Sequence, residues 1–177
     1  MDFKRSDGGI LTPRNDIVIG GIFSVEHFRK GELIDQFECP NLVTNEGLNH
    51  ILGAVFNSAT QIGTWYLGLF EGNYTPVAGV TAATITAAST ECTAYDETTR
   101  QEYVEAAPSS QSITNSANKA TFTFNATKTI YGAFLVSASA KSATSGTLMS
   151  AARFGTAKSV VAADQLLLTY TFAATSA

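Results

Sequence analysis

Asn41–Phe70, NLVTNEGLNHILGAVFNSATQIGTWYLGLF, decides the fold. Its first half predicts a helix. Asn45 is a good N-cap residue, and Glu46 places negative charge in the first turn. Leu48, Ile51, Leu52, Val55 and Phe56 recur at i, i+3, i+4, i+7 and i+8, one apolar stripe on a helix of about three turns. Gly47 and Gly53 each weaken such a helix by about 1 kcal/mol relative to Ala, so it needs something to dock on. The stripe is expected to pack on a sheet. Asn57-Ser58 ends the helix, and Thr64–Phe70, TWYLGLF, reads as an aromatic, largely buried strand.

The rest of the chain is expected to supply that sheet. Residues 1–16 form a polar arm in which Gly8-Gly9 and Pro13 oppose regular structure. It is either a frayed terminus or an arm that orders on a partner. Ile17–Phe28 reads as a long strand with a bulge or bend at Gly20-Gly21. Arg29–Glu32 turns, and Leu33–Cys39 returns as the second strand of a hairpin, with Leu33, Asp35, Phe37 and Cys39 on one face. Residues 77–99 are a long excursion with one short helix near 82–90, which Tyr95, near Arg100, could anchor.

Strand patterns then resume. Arg100–Ala106, Lys119–Asn125, Thr129–Ala138, Thr147–Phe154 and Gln165–Phe172 each read as strands. Ala120, Phe122 and Phe124 face inward in one, and Leu166, Leu168, Tyr170 and Phe172 share a face in another. About eight short-spaced strands with one amphipathic helix after the first hairpin predict an all-β fold. We expect a jelly-roll-like antiparallel sandwich over residues 17–177, preceded by the arm.

Composition narrows the function classes. Hydrophobic residues make up 45% of the 177 and charged residues 15%, well below the usual figure of about 25%. The net charge of −4 and the scattered 11 basic residues argue against nucleic-acid binding. No stretch has the apolar length of a membrane helix, and no leader-like apolar segment follows Met1–Asp7, so synthesis in a cytosol is expected. Cys39 and Cys92 are then expected as free buried thiols, and the Asn73 and Asn125 sequons as turn chemistry.

Catalytic candidates are few. No C-x-x-C, H-x-x-x-H, P-loop, dinucleotide or nucleophile-elbow pattern occurs. His27 lies in an apolar strand, and His50 on the helix face away from the stripe. Glu91, Asp96 and Glu97 could do acid–base work or hold calcium, and read more simply as a solvated loop. Trp65, Tyr66 and Phe70 could line a sugar or peptide cleft, and read more simply as core. We expect no enzyme activity, no cofactor and no bound metal.

The order of motifs carries a resemblance. N-L-V-T-N-E-G-L-N and the amphipathic helix precede T-W-Y-L-G-L-F. Then follow E-C-T-A-Y-D-E-T-T-R, I-Y-G-A-F-L-V-S, G-T-L-M-S-A-A-R-F and L-L-L-T-Y-T-F. This order resembles a family of small virion proteins of tailed bacteriophages, the capsid cement or decoration proteins, described as jelly rolls. The resemblance spans roughly residues 17–173 and transfers no catalytic residue. It implies a virion structural protein on the capsid surface, present in the host cytoplasm during assembly. Its partners would be the major capsid protein and further copies of itself, as dimer or trimer, without nucleic acid or membrane. Phe3, Ile10 and Leu11 on the arm are the candidate capsid contacts. The alternative is a tail-associated or receptor-binding virion protein that recognises host-surface glycans. A third possibility is a glycan-binding protein outside any virus.

Overall fold

The computed structural model describes residues 3–5, 11–13 and 17–176, the first two segments as backbone only. The strands are β1 (Phe3–Arg5), β2 (Leu11–Pro13), β3 (Ile17–Arg29), β4 (Glu32–Pro40), β5 (Leu42–Val43), β6 (Tyr66–Phe70) and β7 (Glu91–Cys92). They continue as β8 (Gln101–Glu102), β9 (Ser112–Thr114), β10 (Ala120–Thr123), β11 (Lys128–Val136), β12 (Leu148–Val160) and β13 (Gln165–Ser176). The helices are α1 (Asn45–Phe56) and α2 (Ala82–Ser89).

Two antiparallel sheets form a sandwich, as expected. The first sheet has the order β10-β13-β3-β4, with β9 also on β13. The second has the order β5-β12-β11-β6-β7, with β8 also on β6. β1 and β2 pair with each other, Phe3 opposite Pro13, so these parts of the arm do form a strand pair. The sequence reading denied them one because it counted breakers and no cross-strand partner. Ile10 lies outside the described residues.

Alternation places the core. Phe122 on β10, Phe124 just beyond it, and Leu166, Leu168 and Tyr170 on β13 point inward, against Leu67, Leu69, Ala133 and Leu135 of the second sheet. The opposite face of the second sheet presents Phe70, Phe134, Val136 and Ala151. Val80, Ala82 and Ile85, at and before the start of α2, cover it. The excursion at 77–99 is therefore packed down, and its helix lies where the pattern put it.

Four local expectations are corrected. The glycine pair at 20–21 makes no bulge. The register with β13 runs unbroken through Phe172 opposite Gly21 and Ala173 opposite Gly20. Gly21 instead gives Tyr170 room, since a Cβ there would lie 2.6 Å from its hydroxyl. The irregularity of β3 lies at His27/Phe28, against β4, and Leu33 beyond it is exposed. The strand expected at 100–106 shrinks to β8, and the one expected to stop at Phe154 continues to Val160.

The fourth correction concerns α1. Its N-cap is Thr44, not Asn45; the buried Thr44 hydroxyl accepts from the Gly47 N–H at 3.0 Å. The Glu46 carboxylate accepts from Ala82 N at 2.9 Å and Leu148 N at 2.7 Å, tying the first turn to α2 and β12. Gly47 sits directly on Met149, where a Cβ would fall 2.5 Å from the carbonyl oxygen. Docking is thus through the Gly47–Ile51 side, where the missing side chain permits close approach. The apolar stripe is split: Ile51 packs against the core, while Leu52, Val55 and Phe56 are 55%, 66% and 81% exposed.

Candidate functional site

The site region lies at the end of the sandwich beside α1. The segment after α1, residues 57–65, carries Gln61, Ile62 and Trp65 back toward the sheets. There the open end of the core forms a cavity of about 180 Å³. Leu135 and Met149 line it from the second sheet, and Ile113, Tyr170 and Phe172 from the first. Trp65 and Tyr103 complete the wall, and the Tyr103 N–H donates to the Trp65 carbonyl at 2.8 Å. A second, more open depression of about 330 Å³ adjoins it and shares Gln61, Ile62, Trp65 and Met149. His50, Ile51, Ala54 and Val55 of α1 form its other wall. His50 meets the Trp65 ring edge-on at 5.6 Å between centroids.

The two tyrosines of the cavity differ. The Tyr170 hydroxyl accepts from Asn41 Nδ2 at 2.7 Å, and its ring lies 4.5 Å from Phe23. Tyr103 is only 4% exposed, and its hydroxyl has no hydrogen-bond partner among the described residues. Burial pushes both phenols above their ordinary range, so both stay protonated and able to donate.

The candidates raised by the sequence separate in space. Phe70 is core, Tyr66 is half-buried, and Trp65 belongs to the cavity wall. His27 and Cys39 do not share a site. The Cys39 thiol donates to the Arg153 carbonyl at 3.0 Å, whereas His27 Nε2 hydrogen-bonds Asp164 at 2.9 Å. Asp164, between β12 and β13, is buried. It also accepts from Arg29 Nε and Nη2, at 2.9 and 2.7 Å, and from Val161 N at 2.9 Å. Arg29, expected in a turn, is the last residue of β3 and is thereby tied down.

The carboxylate cluster expected as a solvated loop also dissolves. Glu91 is buried against Arg100, and the Glu97 carboxylate accepts from Thr123 N at 3.1 Å. Among the described residues no group of three or more His, Cys, Asp or Glu could hold a metal ion. Cys39 and Cys92 are free and buried, as expected. The side chains of Phe3, Ile10 and Leu11 lie outside the described residues.

Two features escaped the sequence reading. Tyr103 had no signal of its own in a short polar strand. The rotation of α1 was legible only in Gly47, a small residue one turn before Ile51 at the edge of the stripe. Compared with protein-family models and with curated proteins, the chain has no match.

Proposed function

We propose that the protein is a virion structural protein of the capsid cement type, which binds the major capsid protein shell as a homo-oligomer. The observation that carries this reading is α1. A sandwich whose chain carries little charge turns the Leu52, Val55 and Phe56 edge of its amphipathic helix outward, with Phe56 81% exposed. Exposed apolar patches on a folded domain mark contact surfaces. Many weak apolar contacts repeated over a shell add to firm binding, because an oligomer raises the effective concentration of each. The excursion at 77–99 is largely packed down, leaving the arm and the α1 face as the attachment elements.

The aromatic cavity bears on the tail-protein alternative. Glycans need several convergent polar groups, and beside the aromatics only Gln61 and Glu105 supply polar side chains there. The capsid reading is preferred for that reason.

The test uses particles that lack the protein. Parent protein should bind near stoichiometrically with the capsid subunit. Phe56→Asp and a deletion of residues 2–15 should each lower occupancy while leaving the melting temperature unchanged. Binding to host surfaces at a few copies per particle would overturn the proposal in favour of the tail reading.

A further inference from the structure

We propose that the protein self-associates by pairing the open edge of β3, at Ile17–Ile19, with the same edge of a second copy, so that the first sheet runs on across a two-fold axis. This deepens the homo-oligomer part of the reading above and rests on that part alone.

The edge comes from unequal strand lengths. β13 accompanies β3 from Phe28 to Ile17, whereas the pairing with β4 goes only as far as Ile22, opposite Pro40. Residues 17–20 therefore have β13 on one side and, among the described residues, no strand on the other. β2, just before β3 in the sequence, pairs with β1 instead.

Two hydrogen bonds fix where the backbone groups point. The Asn41 N–H, just past the end of β4, donates to the Gly21 carbonyl at 3.0 Å. Backbone groups alternate sides along a strand, so the N–H and C=O of Ile17 and Ile19 face the same way as those of Gly21, off the sheet. The Ala174 N–H agrees, since it donates to the Gln111 carbonyl at 3.0 Å and not to Ile19, the residue opposite it.

Exposed edges are ordinarily guarded by a charge, a proline or a bulge. Ile17–Val25 and the whole of β13 hold no charged residue and no proline, and their register is unbroken. Ile17 and Val18 are 74% and 54% exposed. Charge also selects the occupant. A two-fold axis sets like against like, which a charged edge resists and this uncharged one does not.

Asn41 holds the edge at Gly21, so the copies centre on Val18. Each Ile17 then exchanges hydrogen bonds with the Ile19 of the other copy, and the two Val18 residues meet at the axis as a non-hydrogen-bonded pair. So short an edge buries less than the roughly 1,200 Å² of a standard interface, and the free protein associates weakly.

Sedimentation equilibrium of the full chain should show monomer and dimer exchanging between about 10 μM and 1 mM. Ile19→Pro removes an N–H that faces the copy and not β13, so the monomer should melt as the parent does. By symmetry it removes a bond at both ends of the contact, and dimerisation should weaken at least about tenfold. Val18→Cys should crosslink into a dimer on mild oxidation, because Cα atoms of such a pair lie about 4.5 Å apart. Ile34→Cys, similarly exposed at the far end of β4, should not. If Ile19→Pro unfolds the protein, the crosslink decides alone. A parent still monomeric at about 1 mM would overturn the contact together with the homo-oligomer reading. A dimer that survives Ile19→Pro, or a Val18→Cys protein that crosslinks no faster than Ile34→Cys, would overturn the contact and leave that reading in place.

Discussion

Arg100 and Glu91 meet as a forked ion pair inside the protein, Nε to Oε1 and Nη2 to Oε2, both at 2.8 Å. The guanidinium also donates to the Ala138 and Ala143 carbonyls at 2.9 and 3.1 Å, and stands 5.2 Å from the Phe134 ring centre. Glu91 in turn accepts from Ser142 N at 2.9 Å. One buried pair thus holds the excursion and the 138–143 loop to the second sheet. Glu91→Gln strips the charge but keeps the shape, leaving a buried cation unbalanced. It should cost about 3–5 kcal/mol in denaturant unfolding. A loss under about 0.5 kcal/mol would mean that water reaches the pair.

The two sides of α1 should respond oppositely. Leu52→Ala and Phe56→Ala, on the exposed stripe, should change stability by no more than about 0.5 kcal/mol. Gly47→Ala adds a single methyl where the backbone touches Met149 and should cost about 1–3 kcal/mol, despite the better helix propensity of alanine. Equilibrium unfolding of the three variants checks this, and a stabilised Gly47→Ala protein would show that α1 does not dock there.

These contrasts show what the sequence could and could not carry. The inward faces of β10 and β13 were legible because period-2 alternation records burial directly. The stripe on α1 was legible as a pattern, but its direction was not. Helical periodicity finds an apolar face, while close approach at Gly47 chose which face meets the sheet. Asp164 gave no signal because its side-chain partners lie far away, His27 being 137 positions from it, whereas Glu91 looked like a loop carboxylate although Arg100 is only nine positions on, because the burial of that pair is not written in the local pattern. Tyr103 gained its place only when Trp65 was brought alongside it.

Acid should expose the clamp at Asp164. The Arg29 guanidinium, the Val161 N–H and His27 hold its carboxyl below the usual carboxylate range. A depressed folded value means the clamp contributes fully above the unfolded value of about 3.9 and loses that contribution as pH falls below it. Asp164→Asn should therefore flatten the decline of stability below about pH 4, measured by urea midpoints across the acid range. Parallel curves for parent and variant would place the acid limit on another carboxylate.

The thiols should be slow to react. Burial raises both Cys39 and Cys92, and Cys39 already donates to Arg153. A disulfide-exchange reagent at pH 8 should label neither on the timescale of minutes in the native protein, and both after denaturation. Rapid native labelling of one would reveal a local opening at its strand.

The position of β13 sets an order of events during synthesis. It follows every other described strand in the sequence, yet it lies inside the first sheet, with β3 and β10 beside it and β9 on the same strand. Its 12 residues pair along nearly the whole of β3, from Phe28 down to Ile17. Until they leave the ribosome, the β3–β4 hairpin has no sheet to join. The Leu166, Leu168 and Tyr170 side of the core is also missing until then. Helical domains can consolidate while the ribosome is still at work. Here the nascent chain must carry an open apolar face until β13 is made, and a ribosome stalled short of it would hold a polypeptide that cannot close.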